Sequence, residues 1–174
     1  MRSGGSSQKG SAFERKVCRQ LSHWLSNGKR DDLFWRSAMS GGRATLGLKK
    51  GIVRVTQAGD VTAIDGRGLG AQFLKRFVVE CKHVKNLELA NLVAKQTGAF
   101  VKHWLKHERE AQAHQRAPFL VARQNRFPTL LFLQKKSVLD LSRGYLVLAT
   151  FRLDDGNVCA LNFDAMLKEP PPNV

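Results

Sequence analysis

The amino-acid sequence predicts an α/β protein in which helices flank a central mixed β-sheet. Apolar residues recur at helical spacing over residues 11–26 and 87–115, and short segments rich in β-branched residues lie between and after them. This alternation favours a sheet covered by helices. With 174 residues, 43% of them hydrophobic, the chain is long enough to bury a core without disulfide cross-links.

The first helix is predicted over residues 11–26. Ser11 is a suitable N-cap, and Glu14 three positions later completes a capping-box pattern. Residues 1–10 are rich in Gly, Ser and Lys, which predicts a disordered basic tail before a single domain over residues 11–168. The proline run within residues 169–174 predicts an extended tail that does not pack.

Strands are predicted from short apolar segments bounded by turn residues. Gly66, Gly68 and Gly70 separate two of them; because a strand follows, a hairpin-like loop is favoured over a dinucleotide-binding turn. The predicted strands are residues 34–36, 60–65, 77–82, 118–123, 129–133, 145–151 and 158–161.

The charge balance is strongly basic. There are 29 Lys and Arg residues against 14 Asp and Glu, a formal net charge of +15. Such an excess favours a polyanionic partner, and nucleic acid is the partner we expect. No apolar run reaches the roughly 20 residues of a membrane span, so we expect no membrane partner and a cytoplasmic protein. Three widely spaced cysteines, Cys18, Cys81 and Cys159, predict reduced thiols.

Two carboxylates lie at or inside apolar strands, where a protein that only binds phosphate has no use for them. Asp60 opens one strand, and Glu80 and Lys82 share one face of another because strand side chains alternate. Asp60 and Glu80 offer hard oxygen ligands for Mg²⁺, and the Cys81 carbonyl could complete the set. Lys82 could stabilise transition-state charge or orient the attacking water. The pattern predicts phosphodiester hydrolysis.

A plainer interpretation stays open. Glu-x-Lys on a strand is commonly a solvated ion pair, and Gly-Asp is often only a turn. On that interpretation the chain is a non-catalytic basic module that binds nucleic acid.

Asp60…Glu80-x-Lys82 resembles the signature of the PD-(D/E)XK nuclease superfamily, with Gly59 where the pattern has proline. By the same resemblance, Glu14 on the first helix and Gln96 on the helix after the Glu-x-Lys strand are auxiliary site residues. The segments 35–42, 59–61, 80–83 and 122–126 look like those of phage-type proteins described as Holliday junction resolvases.

The resemblance implies a restriction-endonuclease-like core and DNA cleavage dependent on Mg²⁺ or Mn²⁺, in the cytoplasm or nucleoid of a phage-infected or bacterial cell. A resolvase would act as a homodimer, because a symmetric junction has two strands to cut. A restriction- or repair-type nuclease acting on duplex DNA is the alternative within the same superfamily.

Basic residues around the predicted site are candidates for phosphate contacts. They are Arg36, Arg43, Lys49, Lys50, His83, Lys85, Arg123 and Arg126. His103, His107 and His114 share one face of the long predicted helix. Without an HExxH pattern, a solvated or phosphate-facing stripe is favoured over a zinc site.

Overall fold

The computed structural model describes residues 4–37, 58–141, 145–153 and 156–172. The helices are α1 Gly4–Leu25, α2 Leu69–Arg76, α3 Leu89–Lys95, α4 Ala99–Ala113, α5 Lys135–Leu141 and α6 Phe163–Met166. The strands are β1 Phe34–Arg36, β2 Val61–Ala63, β3 Phe77–Val84, β4 Ala117–Gln124, β5 Leu130–Gln134, β6 Val147–Leu153 and β7 Gly156–Asn162.

Five strands form the central sheet, in the order β3-β4-β5-β7-β6. β3 and β4 run parallel, whereas the other neighbouring pairs are antiparallel. The sheet is therefore mixed, and the predicted restriction-endonuclease-like α/β class is confirmed. β1 and β2 form a separate antiparallel ribbon, in which Trp35 lies opposite Thr62.

Helices cover both faces of the sheet because alternate strand residues supply an apolar layer on each side. On one face Val17 and Leu21 of α1 pack in a core with Val79, Phe119 and Leu131. On the other face a second core contains Phe100 and Trp104 of α4 with apolar residues of β4, β5 and β7, namely Leu120, Ala122, Phe132, Val158 and Ala160. Glu80 and Lys82 belong to the second face and Cys81 to the first, as the strand alternation predicts.

The N-terminal helix is longer than predicted. It begins at Gly4, so Ser11 lies inside it and the capping-box interpretation of Glu14 is wrong. The amphipathic pattern from Phe13 to Leu25 anchors the helix to the sheet and lets it extend backwards through residues that have no apolar signal of their own. The assignment of residues 11–168 to a single domain stays a prediction.

Two further predictions about helices were wrong. The glycine-spaced segment 66–70 leads into α2, because Gly68 is its N-cap and Gly70 approaches the Leu33 carbonyl so closely that a Cβ would lie 2.8 Å away. The long helix predicted over residues 87–115 is two helices, α3 and α4. They are separated at Gly98, whose φ of +111° no regular helix accommodates.

The C-terminal segment packs, contrary to prediction. The indole Nε1 of Trp24 donates to the Glu169 carbonyl at 2.9 Å, and the hydroxyl of Tyr145 donates to the Pro170 carbonyl at 3.2 Å. Pro172 is buried. Within the ranges that the structure describes, the helices are all too short or too polar to span a bilayer.

Candidate active site

Strand β3 presents Glu80 and Lys82 on the face covered by α4. Val79 and Cys81 point into the apolar core beneath α1, whereas Glu80 and Lys82 point the other way. Lys82 Nζ and Glu80 Oε1 are 2.5 Å apart, and both side chains are largely withdrawn from solvent. An ion pair this sheltered differs from the solvated pair that the plainer interpretation of the sequence assumed.

Asp60 is fastened to the same strand by backbone hydrogen bonds. Its amide donates to the Val79 carbonyl at 2.8 Å, and its Oδ2 accepts from the Cys81 amide at 2.9 Å. The Asp60 carbonyl accepts from the amide of Ser37, just after β1, at 2.8 Å. Asp60 is only 6% exposed. These bonds hold Asp60 at the edge of β3, close enough to Glu80, 20 positions later in the chain, for the two carboxylate charges to interact.

Gly59 explains why this chain lacks the proline of the superfamily pattern. Gly59 has φ +77°, in the left-handed region, whereas proline is locked near −65°. A Cβ at Gly59 would lie 2.3 Å from the Val79 carbonyl oxygen, the atom that accepts from Asp60. The glycine thus allows the turn to press Asp60 against β3.

Replacing Gly59 with alanine should therefore displace Asp60. We expect Gly59→Ala to lower the free energy of unfolding by roughly 1–3 kcal/mol, the typical cost of a strained backbone, and to impair any function of Asp60. Gly66→Ala is the matched control, since a Cβ there has no atom within 4 Å. Denaturant titration measures both; equal stability of the two variants would contradict this account of the turn.

The electrostatics of Asp60 are unusual for a carboxyl group. Burial, and then the neighbouring negative charge of Glu80, raise its pKa from 3.8 to about 7, while the Cys81 amide and the Lys82 ammonium oppose the shift. Two carboxylates that repel each other in a sheltered place are stabilised by a cation between them. The donor set of hard oxygens fits Mg²⁺ or Mn²⁺.

The raised pKa of Asp60 has a consequence for stability. Because the folded-state pKa lies above the unfolded-state value, stability falls as pH rises from about 4 to about 7. A shift of about 3 units corresponds to roughly 4 kcal/mol. We expect metal-free Asp60→Asn to be more stable than the parent at pH 8 and to lose this advantage near pH 4. Denaturant titrations at both pH values test this; a difference independent of pH would contradict it.

Lys82 is positioned to act as a cation. Burial alone would lower its pKa, but the carboxylates of Glu80 and Asp60 more than offset that effect, so the pKa is raised above 10.5. The ammonium stays protonated at neutral pH and is no general base. Of the roles that the sequence left open, stabilising negative charge and orienting a water both remain available to it.

Two residues of α4 that the sequence analysis did not assign to the site lie beside Glu80. The potential ligand atoms of Glu80, His107 and Glu110 lie within 4.8 Å of one another. Glu110 Oε1 also accepts from the Gly59 amide at 3.4 Å, and burial followed by the charge of Glu80 raises the Glu110 pKa. Glu110 follows His107 by three positions on the same helical face, and this spacing could have indicated it.

His107 is not part of a solvated stripe, contrary to prediction. The side chain is buried, and its Nε2 accepts from the Phe119 amide at 3.2 Å. Burial lowers its pKa to about 4, so the ring is neutral. With the Nε2 lone pair accepting an amide hydrogen, the single proton of the neutral ring lies on the buried Nδ1, so neither nitrogen offers a free lone pair to a metal in this arrangement. The carboxylates of Glu80 and Glu110 therefore remain the candidate ligands in this group, and His107 holds α4 against the sheet.

Helix α1 places Glu14 near the site. Glu14 forms an ion pair with Arg36, and its negative charge contributes to the raised pKa of Asp60. The predicted phosphate contact of Arg36 would thus compete with this ion pair. Gln96 is exposed at the C-cap of α3, where its backbone N–H donates to the Leu92 carbonyl. Its auxiliary role at the site stays a prediction.

The predicted phosphate-binding residues separate into groups. His83 and Arg123 are register partners in β3 and β4, and Lys85 and the exposed Arg126 follow these two strands. They form a basic cluster at the end of the parallel pair. The ring of His83 lies against Phe13, with centroids 5.4 Å apart. Three other predicted contacts, Arg43, Lys49 and Lys50, lie outside the described residues.

The fold and the site together define the class: an α/β protein with a restriction-endonuclease-like sheet and an Asp…Glu-x-Lys constellation on the edge of one strand. A model of the family described as "Phage putative PDDEXK endonuclease" matches residues 5–171. The chain belongs to this family. The match extends beyond the segments that carry the resemblance in the sequence, the last of which ends at residue 126, and includes the C-terminal strands and helix. Neither the curated proteins nor the solved structures contain a match.

Proposed function

We propose that this chain is a metal-dependent DNA endonuclease that cuts branched DNA. The observation that carries the proposal is the convergence of Asp60, Glu80 and Lys82 at one edge of β3. The family description supports the nuclease class, and the net charge of +15 supports a nucleic-acid substrate. Branch preference and a homodimer with two sites are parts of the proposal that rest on the resemblance of the sequence.

In this mechanism Asp60 and Glu80 hold the divalent cation, with the Cys81 carbonyl and Glu110 as further oxygen donors. A bound divalent cation polarises a phosphoryl oxygen and lowers the pKa of coordinated water. Lys82 contributes a fixed positive charge where negative charge develops on the phosphate. The Cys81 amide orients the Asp60 carboxylate. Residues of the basic cluster bind neighbouring phosphates and thereby place the scissile bond at the site.

Cleavage of matched substrates tests the proposal. Purified protein should nick DNA with Mg²⁺ or Mn²⁺ and stop when a chelator is added. A four-way junction, a linear duplex of the same length and a single strand should be compared at one ionic strength, since affinity depends steeply on salt. We expect the junction to be cut fastest. Preferential duplex cleavage would instead support the restriction- or repair-type alternative, and binding without cleavage would support the non-catalytic module.

A further inference from the structure

Trp35 is exposed to a degree that packing does not explain. It is 64% exposed, whereas Trp24 and Trp104 are 4% and 0% exposed within the two cores. In the short strand β1, Phe34 points into the core and Trp35 points away from it. An indole left in water forgoes the burial free energy that its large apolar surface could provide. A binding role is the natural reason for such a position.

The surroundings of Trp35 favour an anionic ligand. It lines an open cleft of about 620 Å³ whose charged lining residues are Arg15, Arg19, Asp31, Asp32 and Arg36. Arg15 and Arg19 are exposed and four positions apart on α1, so their guanidinium groups project from the same side. Asp32 is paired with Arg30. An aromatic face beside two arginines matches the chemistry of single-stranded nucleic acid.

The cleft adjoins the candidate active site. Trp35 is the register partner of Thr62, which follows Asp60 by two residues, and the next residue in β1, Arg36, pairs with Glu14. Two strand residues span about 7 Å and paired strands lie about 5 Å apart, so the backbones at Trp35 and Asp60 are separated by roughly 9 Å. That separation is close to two or three base steps of stacked DNA. A base on Trp35 would therefore belong to a nucleotide within a few positions of a phosphate held at Asp60.

We propose that Trp35 stacks an unpaired nucleobase next to the scissile phosphate, with Arg15 and Arg19 on the adjoining phosphates. The proposal rests on the function proposed above and deepens it. Within a continuous duplex both faces of a base are covered by its neighbours, so an indole gains access only at a junction, a fork, a flap or a single strand. The site would thus select DNA with unpaired nucleotides over intact duplex.

Binding measurements in chelator test the proposal without any cleavage. The probes are a single-stranded oligothymidylate, an abasic oligonucleotide of the same length and a blunt duplex, all at one ionic strength. We expect Trp35→Ala to weaken oligothymidylate binding about 5- to 150-fold, the range for loss of one stacked base, and to change abasic and duplex binding less than about twofold. Trp35→Phe should restore much of the affinity.

The indole itself provides a second readout. Because Trp24 and Trp104 are buried, quenching of the solvent-exposed tryptophan emission reports on Trp35. Quenching is expected with oligothymidylate and not with the abasic strand. Leu148→Ala is the control for Trp35→Ala in the binding measurements, because it also truncates an exposed apolar side chain. Leu148 is 52% exposed on β6, the strand at the opposite edge of the sheet from β3.

Three results would overturn the stacking site. They are unchanged oligothymidylate binding in Trp35→Ala, an equal loss for abasic and base-bearing strands, and conversion of a dimer to a monomer, which would show that Trp35 covers an interface. The two proposals fail separately. If a Trp35→Ala variant cleaves DNA with unchanged substrate preference, the nuclease proposal stands and the stacking proposal fails. If the parent shows base-dependent quenching but no cleavage, the stacking proposal stands and the nuclease proposal fails.

Discussion

Glu80→Gln should reduce DNA cleavage by about 100- to 1,000-fold or more while DNA binding persists. The substitution keeps the side-chain volume but removes one of the negative charges that we assign to the cation site. Loss of electrostatic stabilisation worth several kcal/mol corresponds to rate losses of this size. Binding should be unchanged or tighter, because a negative charge near the phosphate is lost. Cleavage rates with Mn²⁺ and binding in chelator measure the two effects separately.

The control for Glu80→Gln is Glu169→Gln, the same chemical change at an exposed C-terminal position whose backbone carbonyl, not its side chain, accepts from Trp24. Thermal unfolding of both variants shows whether the loss of the Lys82 partner has unfolded the protein. A folded Glu80→Gln protein that cleaves as fast as the parent would remove Glu80 from the mechanism.

Lys82→Met should lower the maximal cleavage rate by about 100- to 1,000-fold, the usual effect of removing one group that stabilises a developing charge. It should also move the pH profile upwards. The Lys82 ammonium lowers the pKa of Asp60, so without it Asp60 ionises at higher pH and metal binding requires more alkaline conditions. A pH-rate profile therefore distinguishes loss of this charge from simple damage to the fold.

Lys82→Arg retains the positive charge and should keep the pH profile of the parent while changing the rate. Lys136→Met, on the exposed side of α5, is the matched control for removing one lysine charge. A Lys82→Met protein with the parent's rate and profile would contradict the role that we give to this ammonium.

The placement of Glu80 and Lys82 on one face was predictable because it depends on strand periodicity. Residues 80 and 82 share a face in any extended strand, and an acidic residue inside an apolar run is conspicuous without the structure. The parallel pairing of β3 with β4, which places His83 beside Arg123, is a long-range contact that periodicity does not specify. The same holds for the anchoring of Trp24 to Glu169.

The site residues that could not be identified from the sequence are those whose role depends on their burial in the folded protein. His107 and Glu110 have the helical spacing of a surface stripe, but α4 turns that face towards β3. Gly59 looked like an ordinary turn residue, and only its positive φ and its contact with the Val79 carbonyl show why proline is absent. Helix α2 was missed because glycines at a cap and at a close backbone contact have the same appearance in sequence as glycines in a loop.

The most direct test is the position of Mn²⁺ in crystals, located by its anomalous scattering. The account predicts a peak coordinated by carboxylate oxygens of both Asp60 and Glu80, with the Lys82 ammonium nearby, and loss of that peak in Glu80→Gln crystals. A peak bound by Glu80 and His107 with Asp60 outside the coordination sphere would contradict the account, as would a saturating soak that leaves the space between Asp60 and Glu80 without metal.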